Sequence, residues 1–149
     1  MFNWICQDIE IVECKVLDLF CGSGVLGLEA MSRGAVSACF VDYNMKSLVG
    51  IASLLTRLNA HHKATFINEE VSSWLGHNVG KQYDLVFLDP PFALNNPGIY
   101  LSKVKHLVKK KGLVYLENKS STSITLDSEV KCWRSARAGA VRYGLYRIL

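Results

Sequence analysis

The segment Lys15-Val-Leu-Asp-Leu-Phe-Cys-Gly-Ser-Gly-Val-Leu-Gly27 joins an apolar run directly to a glycine-rich loop. The apolar run, residues 15–20, predicts a buried strand, and residues 25–33, closed by Gly34, predict a helix. Glycines in the connecting loop let the backbone turn sharply and approach a ligand closely. The segment therefore predicts a strand, a ligand-binding loop and a helix in immediate succession.

Strand and helix patterns alternate along most of the remaining chain. Further strands are predicted at residues 38–42, 64–67, 83–88 and 113–117, and further helices at 46–58, 71–75 and 99–110. Residues 129–134 and 143–148 alternate like strands with no helix between them. The sequence therefore predicts an α/β fold in a single domain, residues 1–149. It is a doubly wound, mostly parallel seven-stranded sheet with a C-terminal antiparallel hairpin. Ligands of such sheets bind outside the carboxyl ends of the strands, where the strand order reverses.

Length and composition suit one compact domain. The chain has 149 residues, of which half are apolar and a fifth are charged. It has no apolar run of about 18 residues, so we expect no transmembrane helix. Residues 1–10 lack the basic region of a secretory signal and include Asp8 and Glu10. We therefore expect a cytoplasmic protein with no membrane partner.

Charge and cysteine content leave the function open but do not favour a metal site. The net charge of +4 permits an acidic partner such as nucleic acid. The five cysteines form no C-x-x-C pair and do not flank histidines at zinc spacing. We interpret them as reduced thiols, and the pair His61 and His62 as part of a solvated loop.

The glycine loop and an acidic residue further on indicate an adenosine-type cofactor. Residues 22–27 satisfy G-x-G-x-x-G, and Asp42, about 20 residues on, offers a carboxylate to ribose hydroxyls. Asp18 distinguishes cofactors that carry a pyrophosphate from cofactors that carry positive charge. Burying a carboxylate is costly unless a cation or several hydrogen-bond donors face it. It would repel a pyrophosphate, whereas S-adenosylmethionine (SAM) has no phosphate and carries an ammonium and a sulfonium. Alternatively, Asp18 accepts hydrogen bonds from loop amides alone.

A second candidate site follows the fourth predicted strand, at Asp89-Pro90-Pro91-Phe92. Two prolines stiffen the loop and aim the side chains on either side of it. A carboxylate and a main-chain carbonyl held there can accept the protons of an amino group, and Phe92 offers a flat face on which a base stacks. A plain turn is the alternative interpretation of the same four residues.

These motifs resemble those of known methyltransferases. Asp18-Leu-Phe-Cys-Gly-Ser-Gly24 resembles motif I of the class I SAM-dependent methyltransferases, which have a Rossmann-like fold, and Asp89-Pro-Pro-Phe92 resembles the (Asn/Asp)-Pro-Pro-(Tyr/Phe) signature of their amino-methylating branch. More narrowly, the chain is similar to the bacterial family that methylates guanine N2 in 16S ribosomal RNA. The stretches that carry this similarity are Phe2-Asn-Trp4, Leu17-Asp-Leu-Phe-Cys-Gly-Ser-Gly-Val-Leu-Gly-Leu-Glu-Ala30, Ser32-Arg-Gly-Ala35 and Phe87-Leu-Asp-Pro-Pro-Phe92.

The resemblance implies a role for each matching residue. Asp89 and the Pro90 carbonyl would accept the guanine amino protons, Pro91 would stiffen the catalytic loop, and Phe92 would stack on the base. The residues that the resemblance implies for SAM are Asp18, Phe20, Gly22, Ser23 and Gly24 at the methionine end, Asp42 at the ribose, Tyr43 and Glu70 at the adenine, and Val71 next to Glu70. The implied partner is 16S rRNA within the small ribosomal subunit, and no metal is required.

Several alternatives remain open. The same four-residue loop serves enzymes that methylate a DNA adenine or cytosine amine or a protein glutamine. Members of the family ordinarily carry a basic hairpin and an Arg-Pro-Thr segment ahead of Phe-Asn-Trp, and the resemblance implies that this segment helps to close the cofactor pocket and to grip RNA. A chain that starts at Met1 is therefore also compatible with SAM or RNA binding without turnover. An NAD-dependent oxidoreductase is disfavoured by Asp18 and the Pro-Pro loop.

Five lysines in the region of the last predicted helix have two interpretations. They offer positive charge to a phosphate backbone, and they are Lys103, Lys105, Lys109, Lys110 and Lys111. Alternatively, residues 109–111 form the solvated end of that helix, where lysines interact favourably with the helix dipole. We expect the second arrangement.

Overall fold

The computed structural model describes residues 1–80, 82–94 and 96–149. Its helices are α1 (Phe2–Asp8), α2 (Val25–Ser32), α3 (Met45–Arg57), α4 (Val71–His77) and α5 (Pro97–Val104), with short 3-10 turns at Ile11–Glu13 and His61–Lys63. Its strands are β1 (Lys15–Leu19), β2 (Ser37–Asp42), β3 (Ala64–Asn68), β4 (Tyr83–Leu88), β5 (Val108–Lys119), β6 (Val130–Ala138) and β7 (Val141–Ile148). Among the described residues, no helix has the length and apolar character needed to cross a bilayer.

The strands form one seven-stranded sheet in the order β3-β2-β1-β4-β5-β7-β6. The first five strands in this order pair in parallel, and β7 pairs antiparallel with both β5 and β6. The predicted α/β sheet with its C-terminal antiparallel hairpin is therefore confirmed. Because the chain winds outward from β1 to β2 on one side and from β4 to β5 on the other, the order reverses between β1 and β4.

Two apolar layers cover the sheet, one on each face. The first contains α1, α2 and α3, and its buried residues include Ile5, Phe40 and Phe87. The second contains α4 and α5, and its buried residues include Trp74 and Val86. Strands that are buried on both faces explain why β1 and β4 appear as nearly continuous apolar runs in the sequence.

Close packing of α2 on the sheet depends on Gly27, in the first turn of that helix. A Cβ atom at this position would lie 2.5 Å from Cε1 of Phe40 and 2.9 Å from Oδ2 of Asp18. These distances are shorter than any normal van der Waals contact, so only glycine allows the helix to approach β1 and β2 this closely. The approach places the start of α2 directly over the carboxyl end of β1.

The predicted helix at residues 99–110 is wrong in its second half. The helix α5 ends at Val104, and β5 begins at Val108, which is fully buried and pairs with Tyr83. The backbone of β5 is irregular at Lys111, whose φ is 67°, and the pairing register with β4 shifts between Tyr83 and Leu85. Tertiary pairing with β4 therefore overrides the local helical pattern, because it buries Val108 and the residues after Gly112 in the sheet.

The expected solvated helix end at residues 109–111 is wrong for the same reason. These lysines belong to β5, and Lys109 Nζ lies 2.7 Å from Oδ1 of Asp84. They occupy the amino-terminal edge of the parallel strands, beside Cys14 and Glu13. Lys105 likewise pairs with acidic side chains, those of Asp127 and Glu129, each at 2.8 Å.

Residues 1–14 contain structure that the sequence patterns did not predict. The helix α1 buries Phe2 and Ile5 in the first apolar layer. Its last residue, Asp8, holds the C-terminal hairpin by accepting hydrogen bonds from Arg134 Nε at 3.1 Å and Arg147 Nη2 at 3.0 Å. The start of the chain and its last two strands are therefore joined by buried apolar contacts and by ion pairs.

Candidate active site

A cleft with a volume of about 490 Å³ opens at the carboxyl ends of the parallel strands, where the strand order reverses. This volume lies within the roughly 300–1,000 Å³ of typical ligand sites. The residues that line it are Phe20, Gly22, Asp42, Tyr43, Asn44, Ser47, Asp89, Pro90, Pro91, Phe92 and Glu117. The cleft therefore brings together two motifs that are 47 or more positions apart in the sequence, since Asp42 and Asp89 both line it.

Asp42 is held firmly at the end of β2. Its Oδ2 accepts a hydrogen bond from the Gly22 amide at 2.9 Å, and its Oδ1 accepts one from the Asn44 amide at 2.8 Å. The side chain is nearly buried, yet each carboxylate oxygen retains capacity for a further hydrogen bond. This geometry suits a pair of hydroxyl donors presented from the cleft.

The glycine loop between β1 and α2 has an unusual backbone. Phe20, Gly22 and Gly24 all have positive φ, at 57°, 51° and 76°. Positive φ is uncommon for a residue such as Phe20, and such strain clusters at ligand-binding sites. The Phe20 ring makes an edge-on contact with Tyr100, whose ring centroid lies 5.2 Å away. The loop therefore presents one aromatic face and several amides to the cleft.

Asp18 lies behind this loop, outside the residues that line the cleft. Its Oδ2 accepts a hydrogen bond from the Gly27 amide at 2.9 Å, and the side chain is 2 % exposed. Burial raises the pKa of Asp18 to about 8, against the lowering effect of the Gly27 bond, and the charges of Asp89 and Asp42 add to the increase. Among the described residues, no lysine, arginine or histidine forms an ion pair with Asp18.

The Asp89-Pro90-Pro91-Phe92 loop forms the opposite wall of the cleft. Asp89 directly follows the last residue of β4, and loss of hydration together with the nearby Glu117 carboxylate raises the pKa of Asp89 to about 6. Pro90 is buried, whereas Phe92 is 47 % exposed and lies at the rim. The loop thus brings Asp89, Pro90, Pro91 and Phe92 to the same wall of the cleft.

Four other predicted residues lie outside the cleft wall. Ser23 is exposed in the loop, and Gly24, which is buried, is the N-cap residue that precedes α2. Glu70 caps α4, because its Oε2 accepts the Ser73 amide at 3.0 Å. Val71, the first residue of that helix, is buried in the second apolar layer. Of the residues proposed for the adenine, only Tyr43 reaches the cleft, and its side chain is 73 % exposed.

Three residues of the cleft were not predicted, namely Asn44, Ser47 and Glu117. Asn44 caps α3 through its side chain, which accepts the Lys46 amide at 3.0 Å, and Ser47 follows in the first helical turn. Glu117 lies near the carboxyl end of β5. The rule that ligands bind at the carboxyl ends of parallel strands identifies this position once the fifth strand is included.

The charges of the cleft are of one sign. Asp42, Asp89 and Glu117 line it, and no lysine or arginine among the described residues does so. Among the described residues, no group of three or more histidine, cysteine or acidic side chains is arranged to hold a metal ion. These carboxylates accept hydrogen bonds and carry negative charge, so they favour a ligand that is cationic or rich in hydrogen-bond donors.

A protein family and a named relative both match nearly the whole chain. Residues 1–147 match the family described as "Conserved hypothetical protein 95". The "Ribosomal RNA small subunit methyltransferase D" of Escherichia coli strain K12 is 32% identical over 150 residues, which cover 99% of this chain and 74% of that protein.

Two solved structures have the same architecture. The structure of HI0767 from Haemophilus influenzae, a candidate methylase, superposes with a TM-score of 0.90 at 29% identity, covering 99% of this chain and 93% of that one. SMU.776, a candidate methyltransferase solved in complex with SAH, shares the fold at a TM-score of 0.71 and 12% identity, over 99% of this chain and 50% of that one. The chain therefore belongs to the Conserved hypothetical protein 95 family and to the family of the ribosomal RNA small subunit methyltransferase D proteins.

Proposed function

We propose that this chain transfers a methyl group from SAM to the exocyclic N2 amine of a guanine in 16S ribosomal RNA. The observation that carries the proposal is the cleft, in which Asp42 lies opposite the Asp89-Pro90 pair. One wall thus suits a nucleoside cofactor and the other suits an amino group. The small ribosomal subunit is the proposed partner, the cytoplasm is the proposed location, and residues 1–149 act as one methyltransferase domain.

The first wall of the cleft fits SAM better than a dinucleotide. Asp42 accepts the two ribose hydroxyls, and the Phe20–Gly24 loop, including Ser23, surrounds the methionine end. The acidic lining attracts the ammonium and the sulfonium, whereas it would repel the pyrophosphate of NAD. When bound, SAM supplies an activated methyl group on a positively charged sulfur. Tyr43 packs on the adenine from the rim, and Glu70 and Val71 at the start of α4 border the same end.

The opposite wall prepares the amine. The lone pair of a guanine amine is delocalised into the ring, which makes the nitrogen a poor nucleophile. Asp89 and the Pro90 carbonyl each accept a hydrogen bond from one N–H group of the amine, and these two hydrogen bonds favour pyramidal geometry at nitrogen. Phe92 stacks on the base. Holding both reactants in line is the main contribution of the protein, and such positioning lowers barriers by roughly 7 to 11 kcal/mol in favourable cases.

Asp89 also receives the proton that the reaction releases. Its carboxylate first stabilises the positive charge that develops on the amine nitrogen. Once the new carbon–nitrogen bond has formed, one N–H proton passes to Asp89 and then to solvent. A pKa of about 6 suits this role, because the group is ionised at neutral pH and accepts a proton readily.

A basic surface beside the cleft supports an RNA substrate. Arg137 of β6 lies directly opposite Arg142 of β7, and Arg142 pairs in turn with Asn118 of β5, which follows the cleft residue Glu117 and lies on the other face of the strand. Like charges directly opposite each other destabilise a sheet unless an anion lies between them. Neither arginine forms an ion pair with the residues that the structure describes. This arginine pair therefore suits a phosphate backbone that leads the target base into the cleft.

Transfer of radioactive methyl groups tests the proposal. Purified protein is incubated with methyl-labelled SAM and either small ribosomal subunits or naked 16S RNA from a methylation-deficient strain. We expect label in 16S RNA that digests to N2-methylguanosine, because the target base must enter the cleft to be modified. Label in another nucleoside, or SAM binding without transfer to either substrate, would contradict it.

A further inference from the structure

Glu117 is a cleft residue to which none of the roles above assigns a contact of its own. It lies near the carboxyl end of β5, in the same cleft as Asp89, Pro90 and Phe92. Because β4 and β5 pair in parallel register with Leu88 opposite Leu116, the next residues, Asp89 just after β4 and Glu117 within β5, lie side by side at the carboxyl ends of these strands. Glu117 therefore faces the part of the cleft that we assign to the target base.

A buried phenol fixes the orientation of this carboxylate. Oε1 of Glu117 accepts a hydrogen bond of 2.6 Å from the hydroxyl of Tyr115, two residues earlier on the same face of the strand. Tyr115 is 3 % exposed, and its ring packs edge-on against Phe87 with a centroid separation of 6.2 Å. Glu117 is thus held by a residue of the core, and Oε2 remains available to the cleft.

The wall formed by Asp89, the Pro90 carbonyl and Glu117 offers acceptors alone. An ionised carboxylate has no hydrogen-bond donor, and neither has a proline carbonyl. Placing two carboxylates side by side is unfavourable without donors between them, and no lysine or arginine in the described part of the chain lines the cleft. The arrangement therefore calls for a ligand edge that carries several adjacent N–H groups.

Guanine has such an edge among the common bases. Its Watson–Crick side presents N1–H next to the two N–H bonds of the N2 amine. Adenine and cytosine present a ring nitrogen that accepts hydrogen bonds beside their amine, so a carboxylate in that place would repel them. Enzymes that act on an extruded base read it through this edge.

We propose that Glu117 selects guanine by accepting its N1–H, while Asp89 and the Pro90 carbonyl hold the N2 amine. This inference rests on the proposed function, since it presumes that the amine of a base enters this cleft. Tyr115 acts as a positioning residue, because its hydroxyl keeps the Glu117 carboxylate in the orientation that meets N1–H. The same contact excludes bases whose ring nitrogen lacks a hydrogen.

RNA containing 2-aminopurine tests the inference, because this base retains the N2 amine but has an acceptor at N1. Substrates carry guanine or 2-aminopurine at the nucleotide that the labelling experiment identifies, and kcat/KM is measured for each. We expect the wild-type protein to prefer guanine by roughly 100-fold or more, as for sites that hydrogen-bond a group missing from the analogue. Glu117→Gln removes the charge and can donate to N1, so we expect the preference to fall at least tenfold.

Two further variants complete the experiment. Tyr115→Phe keeps the Glu117 carboxylate but removes the hydrogen bond that orients it, so we expect a smaller loss of the preference for guanine. If Glu117→Gln fails to fold, this variant tests the inference in its place. Glu13→Gln removes a carboxylate near the opposite edge of the sheet and is expected to leave the preference unchanged. SAM affinity is expected to be unchanged in all three.

The outcomes separate this inference from the proposed function. If the wild-type protein methylates guanine but Glu117→Gln keeps the full preference over 2-aminopurine, only the role of Glu117 is overturned. Loss of SAM affinity in Glu117→Gln would also overturn it, because Glu117 would then act on the cofactor. If the wild-type protein transfers no methyl group to the guanine RNA, the proposed function is overturned and this inference with it.

Discussion

Asp18 shows how one buried group links folding to ligand binding at the residue scale. Burial raises its pKa to about 8, so the folded protein keeps this proton at neutral pH. The unfolded chain loses the same proton near the usual value of 3.8. Between these two pH values the folded state binds more protons than the unfolded state, so its stability falls as the pH rises. A cationic ligand near Asp18 reverses this penalty, because it favours the ionised form.

We therefore expect the free energy of unfolding of the ligand-free protein to decrease from about pH 4 to about pH 8. Asp18→Asn carries no titrating group at this position and should show a shallower decrease. Asp89, whose raised pKa of about 6 gives a slope of the same sign, titrates in both proteins. Urea denaturation at a series of pH values measures the difference, and parallel curves for the two proteins would contradict the role of Asp18.

The site residues that could be predicted from sequence are those with an unusual local pattern. Asp42 follows from its spacing after the glycine loop, and Asp89 from the two prolines that follow it. Glu117 has only a positional signal, the end of the predicted strand at residues 113–117, and a glutamate at the end of an apolar strand is common. Its importance depends on the register of β4 and β5 and on the Tyr115 hydroxyl, neither of which is visible in the order of residues.

At the scale of elements, the contact between α2 and the sheet positions the glycine loop. A Cβ atom at Gly27 of α2 would overlap with the side chains of Phe40 and Asp18. We expect Gly27→Ala to lower the free energy of unfolding by about 1 to 3 kcal/mol, because overpacking outweighs the better helix propensity of alanine. Gly50→Ala in α3 is the matched control, since a Cβ there meets no atom within 4 Å. Urea denaturation should show this control unchanged or stabilised, and equal destabilisation of both variants would contradict the packing argument.

The hairpin of β6 and β7 makes a separate prediction for RNA binding. Replacing both Arg137 and Arg142 by alanine should weaken binding to 16S RNA and reduce the slope of log affinity against log salt by about 1 to 2, since each lost phosphate contact lowers it by roughly 0.7 to 0.9. Lys110 and Lys111 at the opposite edge give a control with the same loss of charge. Fluorescence anisotropy at several salt concentrations measures both, and equal effects would show that net charge alone is responsible.

Elements whose stability is local were predicted, whereas those that depend on tertiary contacts were not. The runs of β1, β2 and β4 are buried on both faces and are plain in the sequence. The helix α1 has only 7 residues and is stabilised by burial of Phe2 and Ile5, so its local pattern is weak. The boundary between α5 and β5 depends on pairing of Val108 with Tyr83, which a helical spacing at residues 99–110 conceals.

At the scale of the whole molecule, the reversal of strand order divides the cleft into two walls. Strands β1 and β2 carry the wall with Asp42 and the glycine loop, and β4 and β5 carry the wall with Asp89 and Glu117. The alternation of strands and helices was sufficient to predict the doubly wound sheet and its ligand-binding edge, because parallel strands with right-handed crossovers allow few topologies. We propose that one wall binds SAM and that the other prepares the amine.

Paired measurements of SAM affinity and methyl transfer in Asp42→Ala and Asp89→Ala test this claim most directly. Isothermal titration calorimetry gives the affinity, and labelling of 16S RNA gives the rate. We expect Asp42→Ala to weaken SAM binding by about tenfold or more, because both ribose acceptors and two loop contacts are lost. We expect Asp89→Ala to bind SAM as the wild type does while transfer falls roughly 100- to 1,000-fold. Loss of SAM binding in Asp89→Ala, or undiminished transfer by it, would contradict the division of the cleft.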